Sequence, residues 1–249
     1  MSDSASLFVP LPPGLEEDPL GRLVLRVRDQ LLRLNKLGNF IFRDVKDDEI
    51  QSEFNRALVV FAHAGLEDTI RELVRRRWRD WPDEALDRLP YPGDRSNKAT
   101  HRELKQYAGL TIEQLIEKSA NTWLDTKSLS STTDLCSLLG LIGVDLEKAL
   151  PTPRESGPFP SVTLQSLQLF FERRHNIVHN GDYDRTNKHR NSLNPDTVTE
   201  WFIATITVVD LVLRAECKKH PKADALDATI ESVFAEMFGR AIPATSPAP

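Results

Sequence analysis

Apolar residues along this chain recur at three- and four-residue steps, the spacing of amphipathic helices. From Asp18 onward Leu20, Leu23, Val27, Leu31 and Leu34 fall on such steps, which predicts a first helix beginning at Asp18. A longer helix is predicted over 46–81. Within it Phe54, Leu58, Phe61, Ala62, Leu66, Ile70 and Leu73 make a broad stripe, with Asp47 and Asp48 near the start and arginines near the end, the order that complements a helix dipole. "STTDLCSLLGLIG" reads as a helix capped by a hydroxyl and closed by glycine. Periodic segments over 111–126, 163–180, 196–218 and 223–238 predict four more helices, and a shorter one starts near Lys98. The proline-bearing stretches "WPDEALDRLPYPGDRSNKAT" and "LPTPRESGPFPSVTLQ" read as connections. No alternating strand pattern of useful length and no internal repeat occurs. The expected fold class is therefore all-α: a helical bundle with extra helices and loop insertions at 82–110 and 127–162. A single helical domain over 16–240 is expected, between a mobile N-terminal segment (1–15) and a mobile C-terminal tail (241–249), both rich in proline and serine.

Composition narrows the function classes. The net charge of −5 argues against a protein that coats nucleic acid indiscriminately, because such binding depends on many cations neutralising phosphates. Local basic clusters remain: "RELVRRRWR" at 71–79, and Arg173, Arg174, Arg185, Lys188 and Arg190. The first also reads as a helix C-terminal turn, with Trp78 covering core. Cys136 and Cys217 are the two cysteines, far apart and without metal-type spacing, so both are expected to be reduced thiols. No run approaches the roughly 18–20 apolar residues of a membrane helix, and the start lacks the order of a secretory signal. A cytoplasmic protein without a membrane partner is the expectation.

One stretch, "FERRHNIVHNGD" at 171–182, carries candidate chemistry. Arg173, Arg174, His175, Asn176 and His179 interrupt an otherwise apolar helix near its end, and Asn180-Gly181 is a plausible terminus because both residues tolerate a left-handed backbone. Histidine can take and give a proton near neutrality, and arginine offers a fixed fork of donors to phosphate oxygens. That combination suits RNA cleavage by the substrate's own 2′-hydroxyl, with no metal required. Geometry restricts it, however. At about 100° per residue, Arg174 and His179 point about 140° apart on a straight helix. Convergence needs either an unwound last turn or a second copy of the helix across a shared cleft. His175 and His179, at i and i+4, do share a face.

At these residues the chain resembles the HEPN superfamily, whose hallmark is Arg, a polar residue, three to five further residues, then His. Here it stands as Arg174-His175-Asn176-Ile177-Val178-His179, with Arg173 as an alternative start, and "RRHNIVHNGD" is most similar to the RiboL-PSP type. The resemblance implies a HEPN-like bundle acting as a homodimeric, metal-independent endoribonuclease with no cofactor, of a kind found as toxins or antiviral effectors and often accompanied by a neutralising partner protein. It implies that Arg174 stabilises the scissile phosphate, that His179 is the general acid or base and that His175 orients or assists. Glu67, in "AHAGLEDTI", is the candidate for the acidic residue that some HEPN groups place on an earlier helix. Arg173, Asn176, Arg185, Lys188 and Arg190 are the candidates for holding the RNA.

Two other functions compete. Many HEPN proteins use the fold for dimerisation or partner binding, so a non-catalytic adaptor is the alternative. A metal site is suggested by the i, i+4 histidines, but Asn176 stands where the metallopeptidase pattern needs glutamate. His63, on the apolar side of its helix, reads as core, as do Trp123 and Trp201; His101, His189 and His220 read as solvated.

Overall fold

The computed structural model describes residues 14, 16–90, 105–150, 162–183 and 190–238. Nine α-helices occur among them: α1 (Pro19–Asp44), α2 (Asp48–Arg76), α3 (Asp83–Leu86), α4 (Ile112–Thr126), α5 (Thr132–Leu141), α6 (Leu146–Ala149), α7 (Leu164–Asn180), α8 (Pro195–Cys217) and α9 (Ala223–Phe238). The class is all-α, as the periodicity predicts. Differences lie at element ends. The second helix stops at Arg76 because Arg77 leaves the helical region, and the chain tightens into a 3₁₀ turn over Trp78–Asp80 that buries Trp78. Both insertions hold a short helix that no periodicity predicts: α3 follows Pro82, and α6 is capped by the Asp145 carboxylate. The helix expected near Lys98, the C-terminal tail and all of the N-terminal segment but Gly14 lie outside the described residues.

The chain divides into two compact units, 1–65 with 184–249, and 66–183, and α2 runs from the first into the second. In the first unit α1 packs on α8 and α9, which also pack on each other. Leu23, Val24 and Val27 of α1 and Val208, Val209 and Val212 of α8 are buried, as are Leu226 and Ile230 of α9. Polar pairs fix the ends. The Asp18 carboxylate accepts from the Leu20 and Gly21 amides, capping α1. It also meets His220 Nε2 at 3.0 Å, tying that cap to the turn after α8. His220 is thus a half-buried partner of Asp18 rather than a solvated histidine. Arg214 spans Asp210 on its own helix and Asp227 on α9. Burial pushes the Asp210 carboxyl above its ordinary value even beside that guanidinium. Arg56 of α2 reaches the Asn191 carbonyl, and Glu53 pairs with both Arg56 and Arg190. His63 is buried here, as its place in the apolar stripe predicts.

In the second unit, Leu66, Ile70 and Leu73 of α2, Leu124 of α4, Leu135 and Leu139 of α5 and Leu167, Phe170 and Phe171 of α7 are buried. The Trp81 indole donates to the Val74 carbonyl and stands edge-on to Trp123. Thr132, at the first turn of α5, donates its amide and hydroxyl to the Gln168 side chain of α7. Together with the packing of α5 on α7, that contact holds α7 in place.

Two outcomes are expected from these caps and cores. Asp18→Ala should lower stability to urea by about 1 kcal/mol, the usual worth of an N-cap. Burial raises the Asp18 carboxyl, but the Gly21 amide, the His220 charge and the Leu20 amide outweigh it and hold the group below its ordinary value. The cap's contribution is therefore complete above the ordinary carboxylate range and disappears as pH falls through the lower folded value, so wild type and variant should converge in acid urea titrations. Separately, burial, with Asp227 and Glu216 adding to it, pushes the Cys217 thiol up to about 12, while half-buried Cys136 is raised by burial first and then by Glu147 and Asp145. A thiol reagent at pH 8 should modify Cys136 in the folded protein and Cys217 only in denaturant.

Candidate active site

Helix α7 is built by its ends and one face. Thr163 and Ser166 form a reciprocal capping box at the start. Leu167, Phe170 and Phe171 turn inward, which sets the helix's rotation about its axis. Gln165, Leu169, Glu172, Asn176 and His179, at alternating four- and three-residue steps, then fall on the outer side and are exposed. His175 is exposed beside them, and its ring lies 4.5 Å from that of His179, centroid to centroid, at 44°. Val178, about half exposed, lies between the two histidines in the chain, and Leu169, equally exposed, adds apolar surface earlier on the helix.

The last turn does not unwind. The helix remains regular to Asn180 and stops at Gly181, whose φ of 60° is the left-handed conformation that glycine adopts at little cost. Asp182 follows with φ 62°, and both amides donate to the Asn176 carbonyl. The Asn180 side-chain amide donates to the Asn176 side-chain oxygen. Asp182 is completely buried, and its carboxylate meets Arg173 Nη2 at 2.9 Å.

The two arginines thus differ. Arg173 is drawn to Asp182. Arg174 comes three residues after Phe171 and four after Phe170, so its stem continues the inward face; it is half-buried, its Nε is shielded, and no acid pairs with it among the described residues. Arg174 and His179 therefore diverge within one chain, and of the two routes to convergence the unwound turn is not taken.

The remaining candidates fall elsewhere. Glu67 accepts from the Leu129 amide and pairs with Arg71 at 2.7 Å, anchoring the segment after α4. Asn176 is exposed on the outer side of α7. Arg190 is paired with Glu53. Arg185 and Lys188 lie outside the described residues. The cluster at 71–79 is matched by acids: Arg71 by Glu67, Arg75 by Glu72 and Asp125, Arg76 by Glu72, Arg77 by Asp80 and Arg79 by Glu113. With Trp78 buried, it serves the helix end as the dipole reading expects. Trp201 is buried and Trp123 half-buried against Trp81. The burial of Asp182 has no local sequence signal, since a residue just past an Asn-Gly stop is usually solvated.

A family model, RiboL-PSP-HEPN, matches residues 26–212. The chain belongs to the RiboL-PSP-HEPN family. The match takes in α2 to α7 entire, and with them the Arg174–His179 motif. Neither the curated proteins nor the solved structures yield a match. HEPN membership points to nuclease-like or related function, and no described helix is long and apolar enough to cross a membrane.

Gly181→Ala should cost about 1–2 kcal/mol, the penalty of a left-handed backbone for a residue with Cβ. The added carbon would also stand 3.3 Å from the Tyr183 ring. Thermal melting of the variant against wild type measures the loss.

Proposed function

We propose that this protein is a metal-independent endoribonuclease that acts as a homodimer, with the Arg174–His179 motifs of two copies meeting at one phosphodiester. The observation that carries it is the exposed His175–His179 pair beside an arginine with no acidic partner among the described residues. An imidazole takes the proton from the 2′-hydroxyl; the freed oxygen forms a bond to the adjacent phosphorus; the bond to the 5′-oxygen breaks as that oxygen receives a proton. The products are a 2′,3′-cyclic phosphate end and a 5′-hydroxyl end. Arg174 neutralises charge on the five-coordinate phosphorus, and His179 is the principal acid or base, with His175 assisting. Positioned proton transfer supplies about 10²- to 10⁴-fold and a preorganised cation a further ~10²- to 10³-fold. Divergence of Arg174 and His179 on one helix is the reason for the second copy.

RNA binding beyond the motif falls to Asn176 on the exposed side of α7 and to Arg185 and Lys188. Arg173 and Arg190 reach RNA only by sharing Asp182 and Glu53, the partners they already have. The setting we propose is cytoplasmic, as a toxin or antiviral effector restrained by a neutralising protein. Exposed Leu169 and Val178 favour the second function, an adaptor that offers this helix to a protein partner without cleaving RNA.

Single-stranded RNA incubated with the purified protein in excess chelator should be cut to cyclic-phosphate ends. Arg174→Ala and His179→Ala should each lower the rate at least ~10²-fold, and a 2′-deoxy substitution at the scissile nucleotide should block cleavage. Chelator-resistant cleavage that survives both substitutions, or none by wild type, would exclude the enzyme.

A further inference from the structure

The closure of α7 is unusual in its chemistry. A carboxylate with no exposed surface lies nine residues after the arginine that it pairs with, on a backbone that non-glycine residues seldom adopt. A Gly-Asn or Gly-Ser terminus would end the helix without burying a charge, so helix termination alone does not account for Asp182. Its position does more than stop the chain. The amides of Gly181 and Asp182 converge on the Asn176 carbonyl, one residue after His175 and three before His179. The Arg173 guanidinium then draws the same terminus back onto α7.

We propose that Asp182 is a positioning residue of the motif. Its ion pair with Arg173 locks the last turn, holds the His175 and His179 rings against each other, and commits Arg173 to the protein so that Arg174 is the arginine presented to phosphate. Arg173 accordingly positions the site rather than binding RNA. The idea rests on the proposed nuclease function, but one of its consequences, the arrangement of the two rings, is independent of cleavage.

A buried carboxylate resists replacement by a neutral isostere because the change removes one of the two charges of its pair with the guanidinium. Loosening of the terminus then acts on proton transfer more than on RNA affinity, since substrate contacts through Arg174 persist. Full-length Asp182→Asn should keep wild-type helicity by circular dichroism and KM within about 2-fold, while kcat falls at least ~10-fold, as loss of geometry at a reacting group does. In histidine-labelled protein, the nuclear Overhauser contact between the two rings, 4.5 Å apart by centroid, should be lost. Arg173→Gln should reproduce both effects, and Arg173→Lys, which keeps the charge, should recover most of kcat.

Folded Asp182→Asn that keeps the ring contact overturns the proposal, and so does unchanged kcat. Where Asp182→Asn does not fold, Arg173→Gln decides by the same criteria; where neither folds, the pair is a requirement of the fold alone and the proposal falls. Wild-type protein that cuts no RNA removes the nuclease function, and the ring contact by itself then decides whether Asp182 positions the histidines.

Discussion

Burial of Leu167, Phe170 and Phe171 is the constraint on which the site depends. Removing two phenylalanines and a leucine from water is worth several kcal/mol, at about 1.5–3 kcal/mol for each fully buried side chain. No surface interaction along α7 competes with that, so the helix can take only one rotation about its axis. Everything polar on it is then assigned a direction by arithmetic. His175, Asn176 and His179 turn to solvent, and Arg174 lies half-buried with its Nε shielded.

The same constraint explains why a chain of net charge −5 leaves one arginine of α7 without an acid among the described residues. Most described arginines near the helix ends meet acids, and the run at 71–79 is neutralised one residue after another. Arg174 escapes because its helical position carries it away from the acids on the outer side, while its neighbour Arg173 takes the buried carboxylate of Asp182. Two adjacent arginines, chemically identical, are thereby given different work by a rotation of about 100°. For the proposed chemistry this separation has a cost as well as a use: the cation and the imidazole of one chain cannot address the same phosphate, and a second chain becomes part of the mechanism.

Much of the helical scaffold was legible in the chain itself. Hydrophobic periodicity marked α1, α2, α7, α8 and α9, and Asp18, Thr111, Ser131 and Thr163 announced their helix starts because capping is a local matter of one side chain and a nearby amide. The Arg174–His179 spacing was legible for the same reason. Short helices such as α3 and α6 escaped notice, since four residues give no periodicity to detect. Glu67, the candidate acid of an earlier helix, is held by Arg71 one turn along its own helix and by the Leu129 amide from more than sixty residues away in the chain.

What the sequence by itself determined, then, is helix content, the position of caps and the chemistry available at 173–179, because each depends on contacts within about one helical turn. Tertiary structure alone decided which side of α7 faces water, which arginine is held by an acid, and that Asp182 is buried rather than solvated. Those outcomes depend on neighbours distant in the chain: the packing of α5 on α7 and whatever covers Asp182, which is fully buried. A carboxylate's surroundings are set by what folds over it, and no local pattern records that.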